Sequence, residues 1–170
     1  MKHLLCYLLI VASLLCLYGC GSEEISKPAN FYYIRNGFTY GNEDSVMAFE
    51  VRSIAGFSRE QEILSNYLEG PLDTNRLVSP FPSGLEITEF IYEEKNLHIT
   101  LSTHITTLSK AQQTLACACI ARTAMELTGV TAVYFQTDSA NYARMDPIII
   151  NKDSVLLYDD YQSLTPTTTD

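Results

Sequence analysis

A serine, a histidine and an aspartate could together form a hydrolytic site in this chain. Ser102 and His104 are two residues apart at the end of a predicted strand, and Asp138 is available elsewhere. A Ser-His-Asp site needs its serine on a strained turn beside oxyanion donors. No G-x-S-x-G motif or comparable turn occurs, and solvent-facing strand positions account for both Ser102 and His104. We therefore expect no catalytic site and no enzyme activity.

The histidines and cysteines beyond residue 20 do not form a metal or redox motif. His98 and His104 lack the spacing of a zinc-binding pair. Cys117 and Cys119 lie two apart, which on a helix directs them about 200° from each other, so we expect no disulfide between them. Helical periodicity places Cys117 toward the core and Cys119 near the polar edge. We expect no metal and no cofactor.

Cys20 is the residue with the clearest chemistry. It ends the sequence Leu17-Tyr18-Gly19-Cys20, which resembles a bacterial lipobox, and an uncharged apolar run, 4–17, precedes it. That run is shorter than the ~20 residues of a membrane-spanning helix and suits a signal peptide. We predict cleavage between Gly19 and Cys20 and lipidation of Cys20, which would anchor the chain to the outer face of the cytoplasmic membrane.

Composition limits the class of partner. The 170-residue chain carries a formal net charge of −9, and loss of Lys2 with the signal peptide would make it more acidic. A mature length of ~150 residues corresponds to one domain. An acidic chain offers no basic surface for phosphates, so we expect no nucleic acid partner. The lipid on Cys20, rather than surface charge, would hold the chain to the membrane.

Patterning predicts strands and two helices. A capping box at Ser58 and Gln61 opens the first helix, which stops at Gly70-Pro71, and a second box at Ser109 and Gln112 opens a helix that ends before Gly129. On this second helix the polar face is predicted to hold Gln112, Arg122, Thr123 and Glu126. The predicted strands are 31–34, 46–54, 85–92, 97–102 and 130–137, with one or two edge strands within 147–158.

This order predicts an α+β fold, βαββαβ with a C-terminal strand extension, in which both helices pack on one face of one sheet. Residues 72–84 are predicted to be a loop. The predicted organisation is a signal peptide, a tether, a single domain and a disordered tail, at 1–19, 20–30, 31–161 and 162–170.

Four segments in order resemble the GerM domain family of spore-forming Gram-positive bacteria. They are Leu68-Glu69-Gly70-Pro71, Phe81-Pro82-Ser83-Gly84, the strand ending in Leu101-Ser102, and Leu127-Thr128-Gly129-Val130 with Val133. The resemblance implies a small fold similar to the ring-building domains of secretion systems. It also implies a non-catalytic role in protein–protein assembly during sporulation or germination, with an envelope or sporulation complex, or a second copy of the chain, as partner. The alternatives are a generic envelope lipoprotein that binds peptidoglycan and a cell-wall hydrolase.

Overall fold

The computed structural model describes residues 26–38, 45–56, 59–138 and 144–154. The predicted lipidation site Cys20, the signal peptide and the predicted tail lie outside these residues. Within them, the mixed α+β class predicted from the sequence is confirmed, but the strands are divided between two sheets where one was expected. No helix in this described part is long and apolar enough to span a membrane.

The first sheet is antiparallel and has the order β2-β1-β3. Strand β1 is Ser26–Arg35, β2 is Met47–Ala55 and β3 is Leu77–Val78. Two corrections follow: β1 begins five residues before the predicted domain boundary, so residues 26–30 are strand rather than tether, and β3 lies inside the predicted 72–84 loop.

The second sheet has the order β4-β5-β6-β7. Its strands are β4 Ile87–Glu93, β5 Asn96–Leu101, β6 Ala132–Thr137 and β7 Ile148–Asn151. Strands β5 and β6 are parallel, since the second helix connects them, and the other neighbours are antiparallel. Strand β7 lies within the predicted C-terminal extension; the part of that extension beyond Ser154 is outside the described residues.

Helix α1 spans Glu60–Tyr67 and takes Arg59 as its N-cap, without a side-chain cap hydrogen bond. The predicted N-cap, Ser58, is outside the described residues, and the helix begins one residue later than that prediction required. Helix α2 spans Lys110–Thr128.

The predicted capping box of α2 is present. The Ser109 side chain accepts from the Gln112 amide, and Gln112 accepts from the Ser109 amide. The helix ends at Gly129, whose left-handed backbone (φ +76°) donates its N–H to the Met125 carbonyl.

Strand β3 pairs only with the end of β1, at Ile34 and Arg35, and side chains satisfy the backbone of the same edge at Tyr32. The Tyr32 N–H donates to Thr123 Oγ1 over 3.0 Å, and the Tyr67 hydroxyl donates to the Tyr32 carbonyl. Thr123 is therefore fully buried, which corrects its predicted place on the polar face of α2. A helix that covers a strand edge buries polar groups that a simple amphipathic pattern assigns to solvent.

One hydrophobic core joins the two sheets, since α2 contacts β1 of the first sheet and β6 and β7 of the second. The fully buried large side chains come from both sheets, from both helices and from the 3-10 turn Thr103–Thr107: Phe31, Tyr33, Leu64, Tyr67, Leu77, Leu97, Ile99, Leu101, Ile105, Ile120, Val133 and Phe135.

Candidate functional site

The serine and histidine of the sequence pattern are neighbours, but they do not form a triad. Ser102 Oγ lies 3.3 Å from His104 Nδ1, and the same oxygen accepts the Glu86 N–H over 3.0 Å. Asp138 instead donates its backbone N–H to the Leu101 carbonyl. Among the described residues no hydrogen bond connects Asp138 to His104, so no carboxylate orients the imidazole as a general base would require.

The two cysteines of α2 are both fully buried. Burial raises the pKa of the Cys117 thiol to about 12 and raises that of Cys119 as well. The predicted position of Cys119 near the polar edge is wrong. Helix α2 contacts both sheets, so side chains on more than one of its faces are buried. Thiols held protonated in an apolar site are poor nucleophiles and poor metal ligands. The described residues contain no cluster of three potential metal ligands.

A charged cluster lies on the inward side of β2. Arg52 donates to Glu50 Oε1 (2.7 Å), to the Gly70 carbonyl (2.7 Å) and to the Tyr33 hydroxyl (2.6 Å). Its guanidinium also lies 4.9 Å from the ring centroid of Phe31. The arginine thus joins β1, β2 and the turn that follows α1.

Glu50 holds the next residues of the same turn. Its carboxylate accepts the N–H groups of Leu72 and Asp73, each over 3.1 Å. Burial alone would raise the pKa of Glu50, but the two backbone donors and Arg52 outweigh burial and lower it. The charge is therefore satisfied in the folded state, and this cluster fixes the path of the chain from Gly70 to Asp73.

The outward face of the second sheet is open in the described part of the chain. The strand registers align Ile91, His98, Tyr134 and Ile149 in one row across all four strands. The His98 and Tyr134 rings stack at 4.6 Å, while Ile91 and Ile149 are each 54% exposed. A polar row lies beside it, in which Thr100 Oγ1 donates to Glu89 and accepts from Gln136. Such a face suits contact with a macromolecule better than capture of a small molecule.

Comparison with known families decides where this domain belongs. The sequence model of the Germane family, described as sporulation and spore germination, matches residues 30–143, more than half of the chain. The chain belongs to the Germane family. The resemblance to GerM domains that the sequence motifs indicated is thereby confirmed.

One solved structure supports the fold. The tandem GerMN domains of the sporulation protein GerM from Bacillus subtilis superpose with a TM-score of 0.51 at 15% identity, covering 76% of this chain and 46% of that one. The chain thus spans about half the length of that protein. A Clostridium perfringens protein named as a lipoprotein gives a TM-score of 0.42 at 17% identity, covering 79% of this chain and 91% of that one. None of the curated proteins matches the sequence.

The residues predicted to form the family motif lie at turns and in the core. Leu68 is the C-cap of α1, and Gly70 adopts φ +114° in the turn that Arg52 binds. Pro71 is partly buried in that turn, between Gly70 and the amides that Glu50 binds. These residues shape the turn that follows α1.

The other motif residues are also structural. Pro82 accepts the Leu85 N–H through its carbonyl (3.2 Å), and the Ser102 side chain and backbone bind Glu86. Leu101, Val130 and Val133 belong to the core.

Gly84 and Gly129 provide a matched test of one motif position. Both have positive φ, +78° and +76°, but an added Cβ at Gly84 would lie 3.3 Å from His104 Nε2, whereas at Gly129 it would meet nothing within 4 Å. We expect Gly129→Ala to lower the free energy of unfolding by ~1–2 kcal/mol through backbone strain alone, and Gly84→Ala to lower it further. Denaturant unfolding measures both.

Substitution of His104 tests whether its ring causes the larger cost expected at Gly84. In the double variant Gly84→Ala/His104→Ala the added Cβ no longer meets the imidazole ring. We therefore expect Gly84→Ala to cost about as much free energy of unfolding in that background as Gly129→Ala costs in the wild type. Equal costs for the two glycine variants, with no effect of His104→Ala, would show that the imidazole does not constrain Gly84.

Sequence reasoning missed Glu50 and Arg52. Both fall on the same side of β2 as Ala48 and Ile54, whereas the other side carries Met47, Phe49 and Val51 and is the more apolar of the two. Alternation therefore assigns the charged side to solvent, and only the contacts with the turn after α1 show that it faces inward.

Proposed function

We propose that this chain is a lipid-anchored Germane-domain protein on the outer face of the cytoplasmic membrane, where the domain mediates protein–protein assembly during sporulation or spore germination. The match of the Germane family to residues 30–143 is the observation that carries the proposal. The GerM structure it resembles is named as a sporulation protein.

The lipid anchor is supported by the sequence alone. An uncharged run of signal-peptide length ends in a small residue followed by Cys20, and polar residues follow immediately. A diacylglyceryl group on Cys20 would supply the two acyl chains that stable anchoring needs.

An assembly role is supported by the surfaces of the domain. The charged residues with buried partners, Glu50 and Arg52, serve to fix a turn, and the thiols are buried and protonated. What the domain offers to solvent is an open sheet face and unpaired strand edges, which are surfaces that bind other proteins.

In-cell crosslinking followed by affinity purification tests the proposal in growing and sporulating cells. We expect a sporulation membrane complex to be recovered from sporulating cells, and deletion of the gene to impair sporulation or germination. Recovery of cell-wall material alone, in equal amounts from both kinds of cell and without a spore defect, would instead favour a generic peptidoglycan-binding lipoprotein.

Ser102→Ala and His104→Ala are the controls for an enzyme. Both should complement the deletion as well as the wild type, because neither residue belongs to a catalytic arrangement. Peptidoglycan hydrolysis that either substitution abolishes would overturn the assembly role in favour of a cell-wall hydrolase.

A further inference from the structure

The outer edge of β2 presents unpaired backbone groups. The Arg35 N–H donates to the Val46 carbonyl over 2.9 Å, and hydrogen-bonded pairs alternate along an antiparallel ladder. The N–H and C=O groups of alternate β2 residues therefore point away from β1. These residues are Met47, Phe49, Val51, Ser53 and Ala55.

Among the described residues, one contact reaches this edge: Arg76 donates to the Phe49 carbonyl over 3.4 Å. Arg76 is itself 65% exposed and lies in a salt bridge with Asp73, so the contact is long and easily displaced. No described backbone group pairs with the edge.

Strand β2 lacks the features that normally protect an edge. It is nine residues long, contains no proline or lysine, and pairs with β1 in unbroken register. Its charged residues, Glu50 and Arg52, are bound on the inward side. The outward side carries Phe49, 46% exposed, and Val51, 61% exposed.

The other outer edges are protected. Strand β4 has a register shift between Ile87 and Glu89 and carries exposed Glu89 and Glu93, so a second β4 beside it would bring carboxylates together. Strand β7 has only four residues, Ile148–Asn151, and β3 has only two, Leu77–Val78. Strand β2 is thus the edge best suited to pair with another strand.

We propose that β2 pairs antiparallel with β2 of a second copy of this chain, in a register centred on Val51, to form a symmetric dimer with one continuous six-stranded sheet. In this register the N–H and C=O groups of Val51 form hydrogen bonds with the C=O and N–H groups of Val51 in the second copy. Phe49 lies opposite Ser53 of the second copy. Glu50 lies opposite Arg52 of the second copy, so opposite charges face each other at both ends of the pair.

The match of β2 to itself identifies a second copy of the chain as the partner strand. A two-fold pairing requires one surface to match itself, and β2 offers uncharged side chains opposite uncharged ones and opposite charges opposite each other. The pairing also brings Phe49 and Val51, the two large apolar side chains that the monomer exposes on this strand, against side chains of the second copy. The proposal rests on the proposed function, since it names a second copy as one partner in the assembly.

Cysteine crosslinking of the full-length protein in its native membranes tests the register. At the two-fold axis the Cα atoms of paired residues are ~5.5 Å apart, within the range of a disulfide. Two copies of residue 55 would be separated by about eight residues of strand, ~26 Å. We expect mild oxidation to convert Val51→Cys to a covalent dimer and to leave Ala55→Cys monomeric; both sites are exposed in the domain.

Lysine substitution provides a second readout. Val51→Lys would place two ammonium groups opposite each other at the axis, and we expect it to reduce chemical crosslinking between copies by about tenfold, equivalent to ~1.4 kcal/mol. Leu72→Lys, in the turn after α1 where the side chain is 79% exposed, should leave crosslinking unchanged. Protease resistance of each variant confirms folding.

Absence of a Val51→Cys dimer, or equal crosslinking at residues 51 and 55, would overturn the proposed pairing. That failure is distinct from failure of the proposed function: if a sporulation complex is still recovered, the assembly role stands and the partner is a different protein. If Val51→Cys dimerises and no sporulation complex is recovered, the pairing stands without the proposed role.

Discussion

Arg52→Ala should lower the free energy of unfolding by about 3–5 kcal/mol, the usual cost of breaking a buried ion pair. The substitution leaves the Glu50 carboxylate without its countercharge in a site that is 8% exposed. It also removes the donor to the Gly70 carbonyl and the Tyr33 hydroxyl. Denaturant unfolding, at a protein concentration low enough to keep the chain monomeric, measures the loss.

Arg76→Ala is the matched control. Arg76 binds Asp73 over 2.7 Å, but the two side chains are 65% and 39% exposed, and exposed pairs contribute about 0–1 kcal/mol. Similar losses for Arg52→Ala and Arg76→Ala would contradict a structural role for the buried cluster.

The same cluster predicts sensitivity to acid. The pKa of Glu50 in the folded state is below its ordinary value of 4.5, so its contribution to stability is present above pH 4.5 and is lost as the pH falls through the folded-state value. Glu50→Gln should therefore be less stable at neutral pH and should lose less stability on acidification. A parallel decline of both proteins as the pH falls below 4.5 would show that Glu50 does not titrate with folding.

Cys20→Ala should remove the protein from its lipid anchor. The variant should appear outside the membrane fraction or retain its uncleaved signal peptide, because Cys20 is the proposed site of both cleavage and acylation. Fractionation followed by mass spectrometry of the N-terminus distinguishes the two results. The wild-type N-terminus should be a diacylglyceryl-modified Cys20.

Cys16→Ala tests whether position matters, since Cys16 lies in the same apolar run four residues earlier. It should be processed and anchored like the wild type. A wild-type protein with an intact N-terminus, or with an unlipidated N-terminus elsewhere, would refute the lipoprotein assignment.

Sequence patterns located most elements because most of them bury one face. The alternation of Leu97, Ile99 and Leu101 predicted β5, and the Ser109–Gln112 capping box located the start of α2. Such signals are local, so they survive without knowledge of the partners.

The errors arise where an element contacts more than one neighbour. Thr123 and Cys119 are buried because α2 contacts β1 as well as the second sheet. The amphipathic pattern of a helix predicts one buried face and does not show a second contact of this kind. The division into two sheets depends on Thr123 and Tyr67 binding the edge of β1, contacts 91 and 35 residues distant in sequence. The Glu50–Arg52 cluster was not predicted, because charged side chains on a strand are usually assigned to the solvent-facing side.

The two buried thiols of α2 can report local unfolding of this domain. In the proposed mature chain, with Cys20 acylated, Cys117 and Cys119 would be the free thiols, and both are fully buried. A thiol reagent can modify them only in the fraction of molecules whose α2 has separated from the sheets. The labelling rate therefore reports the local unfolding equilibrium on intact membranes. Slower labelling when copies associate would measure how strongly a contact at β2 stabilises the packing of α2.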